Sequence, residues 1–344
     1  MGVHAVTLMF SDNETRSIPC LPGESVVQAA NRHGLNLLVD CRVGGCGTCK
    51  AICQFGRFSL DDYSRDALPD AEQAQGRILA CRMQPESPCV VEFDYPLSSV
   101  RRGAAPVARS TTIACIAPRA DDVIELTLAA QDGNAFNFLP GQYANLEVPD
   151  AHIVRSYSFI TEPGGSQAAF LIRLRRGGAM SDWLQGNPPV GTRVLTNGPF
   201  GRFFLRDQKR PLIFVAGGTG VGPMIAMLEA LKTAGATPPG VKLIFGVNSS
   251  PGLFYRDRLE RLVASFVNSE LHISIVSPDP GWDGVTGTVA DILDNIEIDP
   301  AAHAYLCGPP IMVARAQALL EHQGFDKRAI FAETFLPKSM PGEL

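Results

Sequence analysis

Four cysteines near the start of the sequence have the spacing of iron–sulfur ligands. Cys41, Cys46 and Cys49 form a C-x4-C-x2-C pattern, and Cys81 follows further along the chain. Four thiolates at this spacing hold a [2Fe-2S] cluster, whose chemistry is the transfer of single electrons. The glycines inside the loop let the backbone turn tightly, so that its N–H groups can point at the sulfurs. The sequence therefore predicts a [2Fe-2S] site with these four ligands.

Zinc is the alternative metal for such a set of cysteines. Structural zinc sites use two closely spaced cysteine pairs, and Cys81 has no near neighbour of its kind except Cys89. Cys53 is a rival ligand, but it lies just beyond the loop, where a strand should begin. We therefore expect Cys53 to pack in the interior, and we expect the same of Cys20, Cys89 and Cys115.

A second chemical feature is the glycine-rich run Gly217–Pro223, G-G-T-G-V-G-P. It follows an apolar stretch, 212–215, and precedes a helical stretch, 223–233. A glycine loop between a strand and a helix can bind the pyrophosphate of a dinucleotide, because the N–H groups at the start of the helix face the anion. This context predicts a dinucleotide site.

The elements that position these residues fall into three groups. A hairpin, a helix and two closing strands surround the cysteine loop, and residues 97–108 have the composition of a linker. Six short strands broken by Gly and Pro follow and predict a barrel or sandwich. The last part alternates strand and helix, which favours a parallel sheet. The predicted domains are 1–98, 106–206 and 207–344.

Composition and charge exclude several classes of protein. The 344 residues are 45% hydrophobic and 19% charged, as in a globular protein and unlike a disordered one. The net charge of -5 gives no support for a nucleic-acid partner, and no apolar run approaches the ~20 residues of a membrane span. Nine cysteines, an odd number, without a secretory signal predict a reducing, cytoplasmic location.

The charge is uneven along the chain. Residues 1–96 carry 8 Lys/Arg and 12 Asp/Glu, whereas the rest carries 22 and 23. The acidic N-terminal part is expected either to steer encounter with a basic partner surface or to be a solvated face.

The run Asp40–Cys49, followed by Gln75–Cys81 (Q-G-R-I-L-A-C), resembles the fused ferredoxin of the reductases of bacterial aromatic-ring dioxygenases, within the ferredoxin–NAD(P)H reductase superfamily. The benzoate and anthranilate dioxygenase reductases are the examples, and the resemblance spans nearly the whole chain. It implies a multidomain fold: a β-grasp plant-type ferredoxin of the α+β class, an antiparallel six-stranded flavin-binding β-barrel, and an α/β nicotinamide-binding domain with a parallel sheet. The implied cofactors are a [2Fe-2S] cluster, FAD (with FMN as the alternative) and NADH (with NADPH possible).

Two motifs resemble the flavin-binding segments of that superfamily. In R-x-Y-S, Arg155 is implied to contact the flavin pyrophosphate, Tyr157 to lie on or beside the isoalloxazine, and Ser158 to lie near N5. In G-G-x-x-S, backbone N–H groups bind the same pyrophosphate. From the residues alone, a core tyrosine and a plain glycine turn remain alternatives. The predicted flavin-binding residues are Arg155, Ser156, Tyr157, Ser158, Gly177, Gly178, Met180 and Ser181.

Three motifs resemble the nicotinamide-binding segments. The run Gly217–Pro223 is similar to G-G-T-G-x-x-P, with Gly222 where Ala or Ser is commoner. Residues 307–312 are similar to C-G-P-x-x-M, whose cysteine lies beside the nicotinamide C4; a buried thiol at a strand end is the alternative. Residues 333–335 resemble E-x-F, with the glutamate near the hydride path and the aromatic ring near the flavin. The predicted nicotinamide-site residues are Gly218, Thr219, Gly220, Pro223, Cys307, Gly308 and Pro309. Phe335 is a further predicted cofactor-binding residue, near the flavin, and the predicted catalytic residues are Ser158, Cys307, Glu333 and Phe335.

The choice between NADH and NADPH depends on the segment after the second strand of the last domain. An acidic residue ~20 positions past the glycines usually holds the ribose 2′-OH, and Asn248–Gly252 offers none. Arg256 is a possible contact for a 2′-phosphate, whereas Ser277–Pro278 lacks the Ser-Arg pair of NADPH-type relatives. We expect NADH.

The resemblance implies an NADH-dependent flavo-iron-sulfur reductase that passes electrons to a terminal oxygenase. We expect a Rieske aromatic-ring dioxygenase as the partner and no nucleic-acid or membrane partner. The reductase component of a soluble diiron monooxygenase is the alternative within the class. A zinc-stabilised, nucleotide-binding regulatory module is the alternative from another class.

Overall fold

The computed structural model describes residues 2–39, 42–45, 47–102, 106–151, 153–206 and 208–335. Two of the predicted cluster ligands, Cys41 and Cys46, lie outside the described residues. The chain divides into two compact units, one of Met1–Pro106 with Gly198–Arg202 and the other of Val107–Asn197 with Phe203–Leu344.

Between residues 2 and 102, the described part of the first unit has seven strands and three helices. They are β1 (His4–Met9), β2 (Thr15–Cys20), α1 (Val26–Arg32), β3 (Lys50–Phe55), β4 (Phe58–Leu60), α2 (Asp70–Gln73), β5 (Arg77–Leu79), β6 (Met83–Pro85), β7 (Cys89–Glu92) and α3 (Leu97–Arg102). Five strands form a mixed sheet in the order β2-β1-β7-β3-β5, in which β1 runs antiparallel to β2 and parallel to β7.

The sequence predicts a helix from Val26 to His33, after the turn residues 22–25, and α1 begins at Val26. Ser25 and Gln28 form a capping box, in which each side chain accepts the other residue's backbone N–H at 3.3 and 2.8 Å. Val26 and Ala30 of this helix are fully buried in the first unit. The N–H of Val27 donates to the carbonyl of Ala80 at 3.2 Å, which fixes the backbone just before Cys81.

The predicted linker is wrong in its first half. Residues 97–102 form α3, and Leu97 and Val100 are only 1% and 2% exposed. The N–H of Leu97 donates to both carboxylate oxygens of Asp12, at 3.2 and 3.0 Å. The apolar i, i+3 spacing of Leu97 and Val100 indicates a helix, whereas the overall composition of this stretch indicates a linker.

The second unit begins with an antiparallel arrangement around one helix. Its elements are β8 (Val107–Ala120), β9 (Val123–Ala130), β10 (Tyr143–Val148), β11 (Ile153–Ser158), β12 (Gln167–Arg173), α4 (Ala179–Gln185) and β13 (Arg193–Phe200). The strands form a six-stranded curled sheet in the order β11-β10-β13-β8-β9-β12. An isolated antiparallel bridge between Phe159 and Phe170 joins the strands at its two ends. Residues 198–200, which end β13, belong to the first unit.

The same unit contains a second sheet, which is parallel. Its elements are β14 (Leu212–Gly217), α5 (Val221–Thr233), β15 (Val241–Ser249), α6 (Arg256–Val263), β16 (Ser269–Ser277), β17 (Val285–Thr286), α7 (Val289–Leu293), β18 (His303–Gly308), α8 (Pro310–His322) and β19 (Ile330–Thr334). The order is β17-β16-β15-β14-β18-β19, and every neighbouring pair is parallel. The predicted parallel sheet is confirmed.

The strand order indicates where a ligand-binding crevice lies at the edge of the parallel sheet. The chain moves outward from β14 to β15 and β16, then returns to the other side of β14 as β18. Ligands of open parallel sheets bind at the carboxyl ends of the strands where the order reverses, which here is between β14 and β18. Within the described part of the chain, no helix is both long and apolar enough to cross a bilayer.

Candidate functional site

Two of the predicted cluster ligands meet in the first unit. The Sγ atoms of Cys49 and Cys81 are 3.2 Å apart, and both side chains are buried. Cys49 directly precedes β3 and Cys81 closely follows β5; these strands pair with Lys50 opposite Leu79. The pairing therefore brings the two cysteines to the same end of the strands. Buried thiols with converging sulfurs are the donors that an iron–sulfur cluster needs, so this half of the site fits the group.

The cysteine loop has the tight backbone that its glycines predict. Gly44 and Gly47 have φ angles of +75° and +71°, which favour glycine. A Cβ atom at Gly44 would lie 2.7 Å from the Cβ of Tyr63, and one at Gly47 would lie 3.0 Å from the carbonyl of Ala67. The segment from Tyr63 to Ala67 therefore supports the loop, a role that sequence reasoning missed.

Cys20, Cys53 and Cys89 are the other described cysteines of the first unit; the thiols of Cys53 and Cys89 are hydrogen-bonded to each other, and Cys53 is only partly buried. Cys20 and Cys89 are buried, and burial raises the pKa of each thiol to about 11. The Sγ of Cys53 donates to the carbonyl of Phe55 at 3.3 Å. In the second unit, Cys115 is exposed on β8, so the prediction that it packs in the interior is wrong.

The R-x-Y-S motif lies on β11, at the edge of the curled sheet. Tyr157 is half-buried, and burial raises its pKa to about 12, so the hydroxyl stays protonated. The Nη1 of Arg155 donates to the carbonyl of Val154 at 2.8 Å. The hydroxyl of Ser156 donates to Oδ1 of Asn145 on β10 at 2.6 Å. Asn145, which no motif indicated, thus adds a polar side chain to this strand pair.

The G-G-x-x-S segment forms the start of α4. Gly177 has φ +70°, and Gly178 is the N-cap of the helix. The hydroxyl of Ser181 accepts the N–H of Arg175 at 2.9 Å, which holds the turn closed. Met180 is 3% exposed and its side chain packs in the core of the curled sheet. Only the backbone of Met180 is therefore left to face a ligand.

The two predicted nicotinamide loops touch at the carboxyl ends of β14 and β18. A Cβ atom at Gly220 would overlap the carbonyl of Cys307, and one at Gly308 would lie 3.1 Å from the N of Gly217. Only glycine allows this approach, which makes one continuous backbone surface at the crevice. Thr219 lies in the 3-10 turn between β14 and α5, Pro223 is buried in the first turn of α5, and Pro309 is the N-cap of α8.

Arg173 is a residue of this region that sequence reasoning missed. Its Nη1 lies 3.3 Å from where a Cβ of Gly218 would be, so the guanidinium stands beside the glycine loop. Its Nε donates to Oδ2 of Asp122 at 2.8 Å, which fixes the side chain. A guanidinium at this place suits a diphosphate.

The four predicted catalytic residues converge in the second unit. The hydroxyl of Ser158 donates to Oε2 of Glu333 at 3.3 Å. Glu333 on β19 is opposite Cys307 on β18, and the N–H of Phe335 donates to the carbonyl of Gly308 at 3.2 Å. Burial, and then the nearby Glu333 carboxylate, raise the pKa of Cys307 well above its usual range. Cys307 is therefore a neutral thiol, which makes it a poor nucleophile.

Gly222, the departure from the superfamily motif, has a packing reason. A Cβ atom there would lie 2.8 Å from Cγ2 of Ile160 and 3.6 Å from Cδ1 of Leu171. Ile160 follows the R-x-Y-S motif by two positions, so α5 packs closely on the strand region that carries it. A large β-branched neighbour leaves no room for a methyl group at this position.

The residues that bear on the choice between NADH and NADPH interact with one another and with their neighbours. Nε of Arg256 donates to Oε1 of Glu260 at 3.0 Å, and the guanidinium lies 5.6 Å from the ring centre of Trp282. The N–H of Asp279 donates to the hydroxyl of Ser250 at 2.9 Å. Arg256, a possible contact for a 2′-phosphate, is thus engaged by a carboxylate.

Comparison with known families gives three matches along the chain. A 2Fe-2S iron-sulfur cluster binding domain matches residues 9–86, an oxidoreductase FAD-binding domain matches 118–205, and an oxidoreductase NAD-binding domain matches 214–318. The toluate 1,2-dioxygenase electron transfer component of Pseudomonas putida is 37% identical over 96% of this chain and 98% of its own length. The chain belongs to the aromatic-dioxygenase reductases of the ferredoxin–NAD(P)H reductase superfamily.

Other relatives agree with this assignment. The anthranilate 1,2-dioxygenase electron transfer component of Acinetobacter baylyi is 35% identical over 97% of both chains. Among solved structures, a cytochrome P450 reductase from Amycolatopsis has a TM-score of 0.79 at 25% identity and covers 97% of this chain and 100% of its own. The ferredoxin reductase of carbazole 1,9a-dioxygenase has a TM-score of 0.70 at 22% identity, covers 98% and 100%, and shares the fold.

The predicted class and cofactors are confirmed. The chain is an NAD(P)H-dependent flavo-iron-sulfur oxidoreductase that binds a [2Fe-2S] cluster, FAD and a nicotinamide dinucleotide. It is an electron-transfer component of an oxygenase system. The match of residues 9–86 to a 2Fe-2S cluster binding domain favours an iron–sulfur cluster over the alternative of zinc at the cysteine loop.

Proposed function

We propose that this reductase takes electrons from NADH and supplies them to a Rieske aromatic-ring dioxygenase. The observation that carries the proposal is the full-length similarity to electron transfer components of toluate and anthranilate dioxygenases, at 37% and 35% identity. When bound, the flavin accepts a hydride from the nicotinamide and releases electrons one at a time to the cluster.

The cluster is proposed to be held by Cys41, Cys46, Cys49 and Cys81. The 3.2 Å approach of the Cys49 and Cys81 sulfurs supports this half of the set. The burial of both side chains restricts access of water to the proposed site. No base or nucleophile is required of the protein, because the reaction moves a hydride and then electrons.

The flavin is proposed to lie along β11, with its pyrophosphate between Arg155 and the start of α4 at Gly177 and Gly178. Tyr157, kept neutral by burial, offers an aromatic face for a flat ring. The bridge between Phe159 and Phe170 supports closure of the curled sheet into the predicted barrel. The mixed sheet with α1 likewise supports a β-grasp ferredoxin, and the three family matches support domains 1–98, 106–206 and 207–344.

The nicotinamide is proposed to lie over the joined loops at Gly217–Gly220 and Cys307–Pro309. Cys307 and Glu333 would then limit the position of the ring from one side, and Ser158 from the flavin side. The supporting observation is that the Ser158 hydroxyl and the Glu333 carboxylate are already hydrogen-bonded at 3.3 Å. These residues orient the rings and exclude water, which favours direct hydride transfer.

NADH is the proposed coenzyme and the cytoplasm the proposed location. Arg256 is paired with Glu260 and so is less available to a 2′-phosphate. No disulfide joins the seven cysteines in the described part of the chain, as a reducing compartment allows.

A monooxygenase partner is the second candidate, because relatives of that kind also match. Methane monooxygenase component C of Methylosinus trichosporium is 37% identical over 81% of this chain and 83% of its own length. The dioxygenase components match at similar identity over more of both chains, which favours the dioxygenase.

Reconstitution tests the partner directly. The purified reductase is mixed with NADH and either a purified Rieske aromatic-ring dioxygenase or a purified diiron hydroxylase, and hydroxylated product is measured. We expect product with the dioxygenase and little with the hydroxylase. Turnover with the hydroxylase alone would replace the first proposal by the second.

A further inference from the structure

One arginine outside the N-terminal part of the chain binds the cysteine loop. The segment Gly198–Arg202 belongs to the first compact unit, together with residues up to Pro106. Nη1 of Arg202 donates to the carbonyl of Thr48 at 2.8 Å, and Nη2 pairs with Oδ1 of Asp94. The side chain is 23% exposed, so these contacts are partly shielded from water.

Arg202 also reaches the other end of the loop through an aromatic ring. Its guanidinium lies 5.0 Å from the ring centre of Tyr95, which is 3% exposed. The Tyr95 hydroxyl accepts the N–H of Leu38 at 3.3 Å. Leu38 shortly precedes the cysteine loop and Thr48 lies at its end, so Arg202 and Tyr95 together hold both sides of the loop.

The same segment makes a further contact with the loop. The guanidinium of Arg42 lies 5.4 Å from the ring centre of Phe200, in cation–π geometry. Phe200 is 5% exposed. Residues 200 and 202 therefore contact the loop at two separate positions, 42 and 48.

We propose that Arg202 is a positioning residue for the [2Fe-2S] cluster, acting on the peptide unit that joins Thr48 to Cys49. A cation that donates to the Thr48 carbonyl polarises this peptide unit, which leads directly into a ligand. Positive charge near the cluster favours its reduced, more negative form, and Asp94 only partly offsets it. The inference rests on the proposed ligand role of Cys49.

The test measures the cluster itself rather than turnover. The midpoint potential of the cluster is determined by anaerobic redox titration of the full chain, with the EPR spectrum of the reduced cluster, for the wild type, Arg202→Ala, Arg202→Gln and Arg202→Lys. We expect Ala and Gln to shift the potential to more negative values and to change the EPR g values. Lys should restore the potential in part, since it keeps the charge but loses the planar fork.

Arg32→Ala is the matched control. Arg32 also donates to a backbone carbonyl, that of Pro19 at 2.7 Å, and pairs with a carboxylate, that of Glu24 at 2.8 Å. Its loss should leave the cluster potential and the EPR spectrum unchanged. Equal shifts in Arg32→Ala and Arg202→Ala, or no shift in any Arg202 variant, would overturn the inference.

The same experiment remains decisive if one variant does not fold, and it distinguishes failure of the proposed ligand set from failure of the proposed role of Arg202. If Arg202→Ala does not fold, the comparison of Gln with Lys decides, and equal potentials for these two and the wild type overturn the inference. A wild-type protein with no iron–sulfur signal overturns the proposed ligand set, and the inference with it. A normal wild-type cluster with unaffected variants overturns the inference alone.

Discussion

The hydroxyl of Ser158 and the carboxylate of Glu333 are joined by a hydrogen bond of 3.3 Å, although 175 positions separate them in the sequence. Ser158 ends the strand that carries the R-x-Y-S motif, and Glu333 lies on the last strand of the parallel sheet, opposite Cys307. The bond connects the motif proposed to bind the flavin with the motif proposed to bind the nicotinamide, which is the proposed place of hydride transfer.

Removing or weakening this bond should slow flavin reduction: Ser158→Ala deletes the donor, and Glu333→Gln replaces the charged acceptor by a neutral one. Ser158→Ala or Glu333→Gln is expected to lower the rate at which NADH reduces the flavin by roughly tenfold to a hundredfold, because misplaced rings react slowly. Anaerobic stopped-flow absorbance measures that rate. Thr233→Ala is the matched control, since it removes a similar hydroxyl-to-carboxylate bond, 2.6 Å to Glu162. Unchanged rates in both Ser158→Ala and Glu333→Gln would contradict the proposed roles.

The ligand assignment predicts a separation of the two redox centres. Cys49→Ser or Cys81→Ser should abolish the cluster, because a thiolate of the Cys49–Cys81 pair is lost, while NADH still reduces the flavin. Iron content and the visible spectrum report the cluster, and stopped-flow reports flavin reduction. Cys89→Ser is the control within the same unit and should keep a normal cluster. A cluster retained in Cys81→Ser but lost in Cys89→Ser would show that the ligand set is wrong.

The close packing of Gly222 on Ile160 predicts that substitutions at these two positions have coupled effects on stability. Gly222→Ala should reduce the free energy of unfolding by about 1–3 kcal/mol, because the new methyl group overlaps Cγ2 of Ile160 at 2.8 Å. Ile160→Leu removes that branch while keeping the side-chain volume, so the double variant should recover part of the loss. Urea unfolding of the four proteins gives the coupling between the two positions. Additive losses would refute the proposed contact.

Buried thiols predict how stability depends on pH. Burial raises the pKa of Cys20 to about 11 in the folded protein, whereas the unfolded thiol titrates near its ordinary value of 9.0. The unfolded state then loses a proton that the folded state keeps, so stability falls as pH rises through this window. The slope that Cys20 contributes is about 1 kcal/mol per pH unit.

Urea midpoints between pH 8 and about 11 test this dependence. Cys20→Ala should show a shallower fall than the wild type, and Cys115→Ala, which removes an exposed thiol, should show the wild-type slope. Parallel slopes for Cys20→Ala and the wild type would be inconsistent with a thiol that stays protonated in the fold.

Coenzyme choice should respond to the partner of Arg256. We expect a higher kcat/KM with NADH than with NADPH in the wild type. Glu260→Gln should raise kcat/KM for NADPH by about twofold and leave that for NADH unchanged, since an exposed i, i+4 pair is worth ~0.5 kcal/mol. Glu229→Gln, which removes the partner of Arg258 instead, is the control. A wild-type preference for NADPH would reverse the proposal.

Much of the fold is predictable because it rests on local patterns. The capping box at Ser25, the glycine run before α5 and the apolar strands of the parallel sheet are all signals contained in a few adjacent residues. Helix α3 was missed because its two buried residues lie in a stretch whose composition suggests a linker. Cys115 was misplaced because an isolated thiol carries no sign of which strand face it occupies.

The site residues likewise divide into those that a local motif indicates and those that only the fold brings together. Motif residues such as Arg155 and Cys307 can be found from sequence, but their neighbours depend on pairings between distant strands. Asn145 lies beside Ser156 through the register of β10 and β11, and Arg173 lies beside Gly218 only because the sheets pack together. Such contacts have no signature within one segment, so a single sequence cannot indicate them.

Anaerobic titration of the purified protein with NADH tests the central claim most directly. Visible absorbance follows the flavin and the cluster, and low-temperature EPR follows the reduced cluster. We expect NADH to bleach both chromophores and to produce the EPR signal of a reduced [2Fe-2S] cluster, and we expect Cys81→Ser to retain only the flavin change. A protein whose flavin is reduced by NADH while its intact cluster stays oxidised would contradict electron transfer from the nicotinamide to the cluster.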